Sequence, residues 1–201
     1  MAMTMQYALD EAGEQWPVYP LLMPASWEDA PRQLFTPLIR GVRLAVPLVA
    51  PAHILGVPGA GAFRKVFLRE QRLETLGACV EQMLAAAFYN LRERPATWRM
   101  LMPKVAVCND DYFAAEKILH PAFLCAAAEL LGARRGLVVC APARGQLYAT
   151  PLEACFAEPA HACAFTWTMA DVFRRAESNA ISPLPIQISA QGRIIAALEI
   201  T

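Results

Sequence analysis

The sequence predicts an α+β domain in which a mainly antiparallel sheet of about six strands is covered by three or four helices. Three observations lead to this prediction. Short apolar runs are joined by turn residues, which is typical of β-hairpins. Longer stretches repeat apolar residues every three or four positions, which is typical of helices with one buried face. Hydrophobic residues make up 56% of the 201 residues, enough for one sizeable core.

The N-terminal half begins with an arm and continues with strands. Residues 1–30, rich in proline and tryptophan, predict an irregular N-terminal arm, and residues 31–201 predict a single α+β domain. A strand is expected over residues 42–50, followed by a loop of prolines and glycines over residues 51–62. FRKVFL (63–68) alternates well enough to predict a second strand, antiparallel to the first.

The clearest helix is expected over residues 78–93. Its apolar residues recur at three- and four-residue spacing: Val80, Met83, Leu84, Ala87, Phe88 and Leu91. WRMLMPKVAVC (98–108) predicts one interrupted strand or two short ones. A helical region from about 111 to 131 is divided at Pro121 and stopped by Gly132.

Two hairpins and one helix complete the prediction. GLVVCAPARGQLYAT (136–150) reads as two apolar runs joined by a turn that contains Gly145. A helix is expected over about 159–177. The C-terminal PIQISAQGRIIAALEI predicts a last hairpin with its turn at Gln191–Gly192.

Charge and composition argue against several classes of protein. Lys+Arg and Asp+Glu number 18 each, so the chain lacks the basic footprint of a nucleic-acid-binding protein. The longest uncharged run, residues 44–63, is broken by prolines and glycines, and no membrane span is expected. The N-terminus lacks the features of a secretory signal. The six cysteines lie in apolar runs and are expected to be buried and reduced, which favours a cytoplasmic protein.

The glycine-rich segment GVPGAGAF (56–63) does not fit a nucleotide-binding loop. A phosphate loop needs lysine and then serine or threonine after the last glycine, and Ala62 and Phe63 occupy those positions. Two interpretations remain: a surface loop folded onto its own core, or an apolar flap that contacts a partner or a ligand. The side chains that would make such an interaction loop are Ile54, Leu55, Val57 and Phe63. No metal site and no cofactor are expected.

Asp110 and Asp111 are the strongest candidates for site residues. Together with Asn109 they precede a helical pattern, where side-chain oxygens cap free amides and carboxylates favour the helix dipole. The alternative is a catalytic or ligand site in which these carboxylates act with a basic partner. The best partner is Arg144 in the turn APARGQ, because arginine can bind a carboxylate or a phosphate with two hydrogen bonds. His120, before Pro121, is a further candidate.

Five segments resemble the YtpQ-like family of bacterial proteins, a domain of unknown function. They are PLLMPASW, LRERP, NDDYFAAEKILHPAFL, LGARRGLVVCAPARGQLYAT and ISPLPIQIS, and they cover roughly residues 18–190. Within them, Asp110 and Tyr112 match the family's Asp and Tyr before its second long helix. The resemblance implies a cytoplasmic bacterial protein.

The match to the family's Pro-x-Arg turn is carried by Pro142 and Arg144. Two positions depart from the pattern: Asp111 replaces a common glycine, and Gly145 replaces an acidic residue that often follows the arginine. If that acid takes part in chemistry, this chain lacks the activity.

Two functions are compatible with the sequence. The favoured hypothesis is a cytoplasmic binding or protein-interaction module that self-associates, since no complete catalytic constellation appears and apolar residues are abundant. The alternative is an enzyme or a binder of a small anionic ligand that uses Asp110 and Asp111 with Arg144, and His120 as a further catalytic candidate. Whether the protein is an enzyme is left open.

Overall fold

The computed structural model describes residues 17–27, 36–39, 48–55, 64–68, 80–109 and 112–198. This part of the chain forms two antiparallel sheets with helices packed against them. The predicted α+β class, with a mainly antiparallel sheet of six strands, is confirmed.

Four strands form the smaller sheet: β1 (Val18–Met23), β2 (Thr36–Pro37), β3 (Leu48–Leu55) and β4 (Arg64–Phe67). Strand β3 lies in the centre. It pairs with β1 along one edge and with β2 and β4 along the other, in each case antiparallel. FRKVFL forms a strand antiparallel to the one before it, as predicted, but it pairs with residues 52–55, which were expected to belong to the loop.

Two predictions about this region are wrong. Residues 18–23 belong to the predicted irregular arm, yet they form β1, which is buried along most of its length. A strand was predicted over 42–50 and a loop over 51–62, but β3 covers Leu48–Leu55 and so extends into the predicted loop. Prolines explain both errors, since they lack the amide donor of a sheet and usually indicate a loop or an edge.

The prolines also determine which backbone groups of β1 face the rest of the molecule. Pro20 lies opposite Pro51 in the pairing of β1 with β3. Neither residue has an N–H, so this pair belongs to the type that exchanges no hydrogen bonds. Because the two types alternate, Val18 and Leu22 belong to the same type, and their N–H and C=O groups point away from β3.

Helix α1 (Val80–Glu93) covers β1. Its buried residues include Met83 and Ala87, which pack in one cluster with Val18. The buried Asn90 donates its amide N–H to the carbonyl of Val18 at 2.9 Å. The predicted amphipathic helix is confirmed. It provides the hydrogen-bond partner for the Val18 carbonyl, at one end of the β1 edge that faces away from β3.

Six strands form the larger sheet: β5 (Arg99–Met102), β6 (Val105–Cys108), β7 (Leu137–Cys140), β8 (Leu147–Pro151), β9 (Ile186–Ile188) and β10 (Ile194–Ala197). Their order across the sheet is β10-β9-β7-β8-β6-β5, and every neighbouring pair is antiparallel. The predicted hairpins are confirmed, and the segment 98–108 forms two strands.

Helices cover both faces of the larger sheet. A 3₁₀ helix (Ala115–Leu119) and α2 (Pro121–Leu131) pack on one face, and α3 (Leu152–Ala157) and α4 (Pro159–Arg175) pack on the other. As predicted, α2 begins at Pro121 and ends at Gly132, whose φ is +63°. Helix α3, which has only six residues, was not predicted.

The helical region before Pro121 differs from the prediction. Its regular part begins at Ala115, as a 3₁₀ helix, and Ala114 occupies the cap position without a side-chain hydrogen bond. Asp110 and Asp111 lie outside the described residues. They precede that cap position by three residues or more, so the prediction that the helix begins directly after them is wrong.

The cysteines differ in exposure. Cys140 is fully buried, in line with the prediction, whereas Cys163 on α4 is exposed, so the expectation of uniformly buried cysteines is wrong for that residue. Burial raises the pKa of the Cys155 thiol to about 11. Across the described ranges, no helix combines the length and the apolar character that crossing a bilayer requires.

A substitution at Gly136, the residue before β7, tests the packing of β7 against β9. Its φ is +110°, and a Cβ atom there would lie 2.1 Å from the carbonyl oxygen of Ile188. We expect Gly136→Ala to lower the free energy of unfolding by about 3 kcal/mol or more, because strain and a backbone clash combine. Urea unfolding followed by circular dichroism measures this change.

Gly132→Ala is the matched control. Gly132 also has a positive φ, +63°, but no atom lies within 4 Å of the added Cβ. This variant is expected to lose about 1 kcal/mol, from backbone strain alone. Equal losses in the two variants would contradict the close approach of β7 and β9.

Candidate functional site

Arg144, the predicted basic residue, lies in the turn between β7 and β8. The turn is closed by a hydrogen bond from the Gln146 N–H to the Ala143 carbonyl at 3.1 Å, and Gly145 has a φ of +71°. The amide of Arg144 donates to the Asn179 carbonyl at 2.8 Å. These backbone bonds fix the turn against the segment that follows α4.

The Arg144 side chain forms a buried ion pair with Glu116 of the 3₁₀ helix. The two side chains are 6% and 0% exposed. Arg144 Nη1 donates to Glu116 Oε1, and Arg144 Nη2 donates to the Leu22 carbonyl. Glu116 Oε1 also accepts from the Leu22 N–H at 3.0 Å. The pair therefore satisfies both backbone groups of Leu22 that point away from β3.

The partner of Arg144 differs from the one expected. The sequence suggested Asp110 or Asp111, which lie outside the described residues, and it did not suggest Glu116. Glu116 looks like an ordinary helix former in AAEKIL. One signal is visible in retrospect: the charged pair Glu116–Lys117 stands between the apolar runs FAA and IL, which is typical of a helix without a solvent-facing side.

Lys117, the next residue, is also buried and faces a different element. Its Nζ donates to the carbonyl oxygens of Leu91 at 2.7 Å and Arg94 at 2.6 Å, at the C-terminal end of α1. It also lies 5.7 Å from the centre of the Phe123 ring. A cation at this position satisfies free carbonyls and favours the negative end of the helix dipole.

Tyr112 lies beside the ion pair. We call Glu116, Arg144, Tyr112 and Lys65 the ion-pair cluster. The centre of its ring lies 5.6 Å from the Arg144 guanidinium and 6.0 Å from Lys65 Nζ on β4. Burial and the charge of Arg144 lower the pKa of Lys65, and burial raises the pKa of Tyr112. Burial also lowers the pKa of Arg144. The cluster places two cations beside one aromatic ring and one carboxylate.

His120, the other predicted site residue, lies between the 3₁₀ helix and α2. Its ring stacks on Phe123 at 6.3 Å, and its buried Nδ1 has no hydrogen-bond partner in the described part of the chain. Burial, then Lys117 and Arg92, lower its pKa. The charges that act on His120 are thus different from those around Arg144.

Strand β5 carries three consecutive large apolar side chains that are exposed. Met100, Leu101 and Met102 are 47%, 50% and 54% exposed, and we call these three side chains the β5 surface. Strand β5 is the last strand of the larger sheet and pairs with β6. Sequence reasoning identified RMLM as a strand but missed this surface.

The interaction loop that the sequence suggested is not a separate loop along its whole length. Ile54 and Leu55 belong to β3, where they pair with β4. Pro51 and Ala52, also assigned to the loop, are buried. Val57 and Phe63 lie outside the described residues.

Comparisons with known proteins give no match: no protein-family model, no curated protein and no solved structure resembles the chain. The resemblance to the YtpQ-like family stays a prediction. In the described ranges no three His, Cys, Asp or Glu side chains come together as a metal site. Function must therefore be argued from the ion-pair cluster and the β5 surface.

The ion pair predicts a large loss of stability when one partner is removed. We expect Arg144→Met to lower the free energy of unfolding by about 3–5 kcal/mol, because Glu116 remains buried without its partner. The double variant Glu116→Gln/Arg144→Met should lose less than the sum of the two single variants. Urea unfolding of the four proteins of this cycle measures the coupling.

Arg175→Met is the control for the ion-pair cycle. Arg175 pairs with Asp171 at 2.8 Å on α4, but its side chain is 80% exposed. Its loss should change the free energy of unfolding by about 0.5 kcal/mol or less. An effect of Arg144→Met no larger than this control would show that the buried pair does not stabilise the fold.

His120 predicts a dependence of stability on pH. Because its pKa in the folded protein lies below 6.5, the unfolded chain binds a proton more readily. The contribution of this pKa difference to the free energy of unfolding is present in full above about pH 6.5. It is lost as pH falls towards the folded-state pKa. His120→Gln should therefore show a smaller fall in unfolding free energy than the wild type between about pH 7.5 and pH 5. Identical profiles would contradict this role.

Proposed function

We propose that the protein is a protein-interaction module that self-associates, and that the β5 surface is its contact surface. The observation that supports this proposal is the exposure of three consecutive large apolar side chains on an edge strand. Edge strands in proteins that stay monomeric are usually protected by charged residues or proline within the strand. In β5 the one charged residue is Arg99 at its start, and the three residues that follow, Met100, Leu101 and Met102, provide no such protection.

The opposite edge of the larger sheet differs from β5. On β10, the large apolar residue with comparable exposure is Ile195, at 51%, and its neighbours Ile194 and Ala196 are half-buried. A group of neighbouring exposed apolar residues, rather than a single one, is what distinguishes a contact surface. This contrast favours β5 over β10.

The alternative, binding of a small anionic ligand by Asp110 and Asp111 with Arg144, has less support. The Arg144 guanidinium already donates to Glu116 and to the Leu22 carbonyl. A ligand at Arg144 would have to replace contacts that hold the two sheets together. Lys65, which is half-buried beside Tyr112, is the cation better placed to meet an anion.

We also propose a cytoplasmic location. The chain has six cysteines, and the five that lie in the described residues are distributed among buried, half-buried and exposed positions. An exposed thiol such as Cys163 is more typical of a reducing compartment than of an oxidising one.

The proposal predicts concentration-dependent self-association that depends on β5. Sedimentation velocity of the wild type over a wide range of concentrations should show a dimer that dissociates on dilution. Leu101→Lys should raise the dissociation constant by roughly tenfold or more, because a lysine replaces buried apolar area at the contact. Ile195→Lys is the matched control on the other edge and should associate like the wild type.

Two results would contradict the proposal. A wild type that sediments as a monomer at every concentration would exclude self-association. Equal weakening by Leu101→Lys and Ile195→Lys would indicate nonspecific apolar contact rather than a contact surface at β5. Circular dichroism of each variant establishes that the fold is retained.

A further inference from the structure

We infer that the partner of the β5 surface is β5 of a second copy, paired antiparallel, so that two six-stranded sheets join into one continuous sheet. This inference rests on the proposed function and specifies its geometry. It follows from the backbone edge of β5, from the side-chain register of the strand and from the charges at its two ends.

One backbone edge of β5 has no strand partner among the described residues. One edge pairs with β6, with Arg99 opposite Val107 and Met100 opposite Ala106. No strand in the described residues pairs with the other edge. An unpaired strand edge offers alternating N–H and C=O groups, and two identical edges satisfy each other when they run antiparallel about a two-fold axis.

An irregularity in β5 places Arg99 and Met102 on the same face of the sheet. Met102, rather than Leu101, lies opposite Val105, so Leu101 is an extra residue between the two pairs. Val105 and Val107 are two residues apart and share the face covered by α3 and α4. Arg99 and Met102 therefore project from that same face.

Directly opposite residues of an antiparallel pair also share a face. A register that meets this condition in a two-fold pair of β5 strands, and that also brings opposite charges together, places Arg99 of one copy opposite Met102 of the other. The same contact occurs twice, once on each side of the axis. Met100 and Leu101 then lie at the centre of the contact, where apolar side chains are buried best.

The charges near the end of β5 complement this register. Lys104 follows Met102 in the turn to β6, and its ammonium pairs with Glu158 between α3 and α4. The Glu158 side chain is 50% exposed, so its carboxylate is accessible to a second cation. In the proposed pair, Arg99 of the second copy lies beside Met102 and reaches this carboxylate.

A charge-exchange experiment tests this geometry. In Arg99→Glu homodimers, two carboxylates would meet at each contact, and in Glu158→Arg homodimers two guanidinium groups would meet. We expect each variant alone to have a dissociation constant raised roughly tenfold or more. An equimolar mixture should recover association close to that of the wild type, because both contacts in the mixed dimer join opposite charges.

Sedimentation velocity of each variant alone and of the mixture provides the measurement. Arg174→Glu is the control, because Arg174 is a 65% exposed arginine on α4 that is distant in sequence from the proposed contact. It should associate like the wild type. Recovery on mixing cannot come from a role within one chain, such as the loss of the Lys104 contact in Glu158→Arg.

The outcomes separate this inference from the proposed function. Failure of the mixture to recover, or wild-type association of Arg99→Glu alone, would overturn the antiparallel β5 register. If Leu101→Lys still weakened the dimer in that case, the proposed function would stand. A monomeric wild type would overturn both.

Discussion

The buried Glu116–Arg144 pair is the interaction on which the arrangement of the two sheets depends. Strand β1 has an outward edge whose backbone groups need partners, since unpaired buried groups cost free energy. No strand supplies them in the described part of the chain. Instead, Asn90 of α1 donates to the Val18 carbonyl, and the ion pair bonds the N–H and the carbonyl of Leu22. Pro20, between them, has no N–H that needs a partner. Side chains thus complete the edge of the smaller sheet and attach it to the larger one.

The short 3₁₀ helix is the junction that makes this possible. Its successive residues Glu116 and Lys117 are both buried and contact β1 and the end of α1, respectively. A buried charge is tolerated when it is paired and hydrogen-bonded. These hydrogen bonds also hold the 3₁₀ helix in one orientation against β1 and the end of α1.

Much of the fold could be predicted from the sequence because it is encoded locally. Hairpins with short turns and helices with one apolar face leave periodic patterns, and α2 even shows its Pro121 start and Gly132 end. The ion pair could not be predicted, because nothing near Arg144 indicates a partner 28 residues away. The β5 surface was missed for a related reason: RMLM is apolar throughout, and its exposure follows from its place at the end of the sheet.

The long separation between the partners of the ion pair has a consequence for the order of folding. Leu22 and Arg144 are 122 residues apart in the chain, and Leu22 and Glu116 are 94 apart. Contacts of such separation require the closure of long loops and form slowly, whereas the hairpins of the larger sheet need only local closure. The hairpins of the larger sheet are therefore expected to form early, and docking of β1 is the late step that completes the native state.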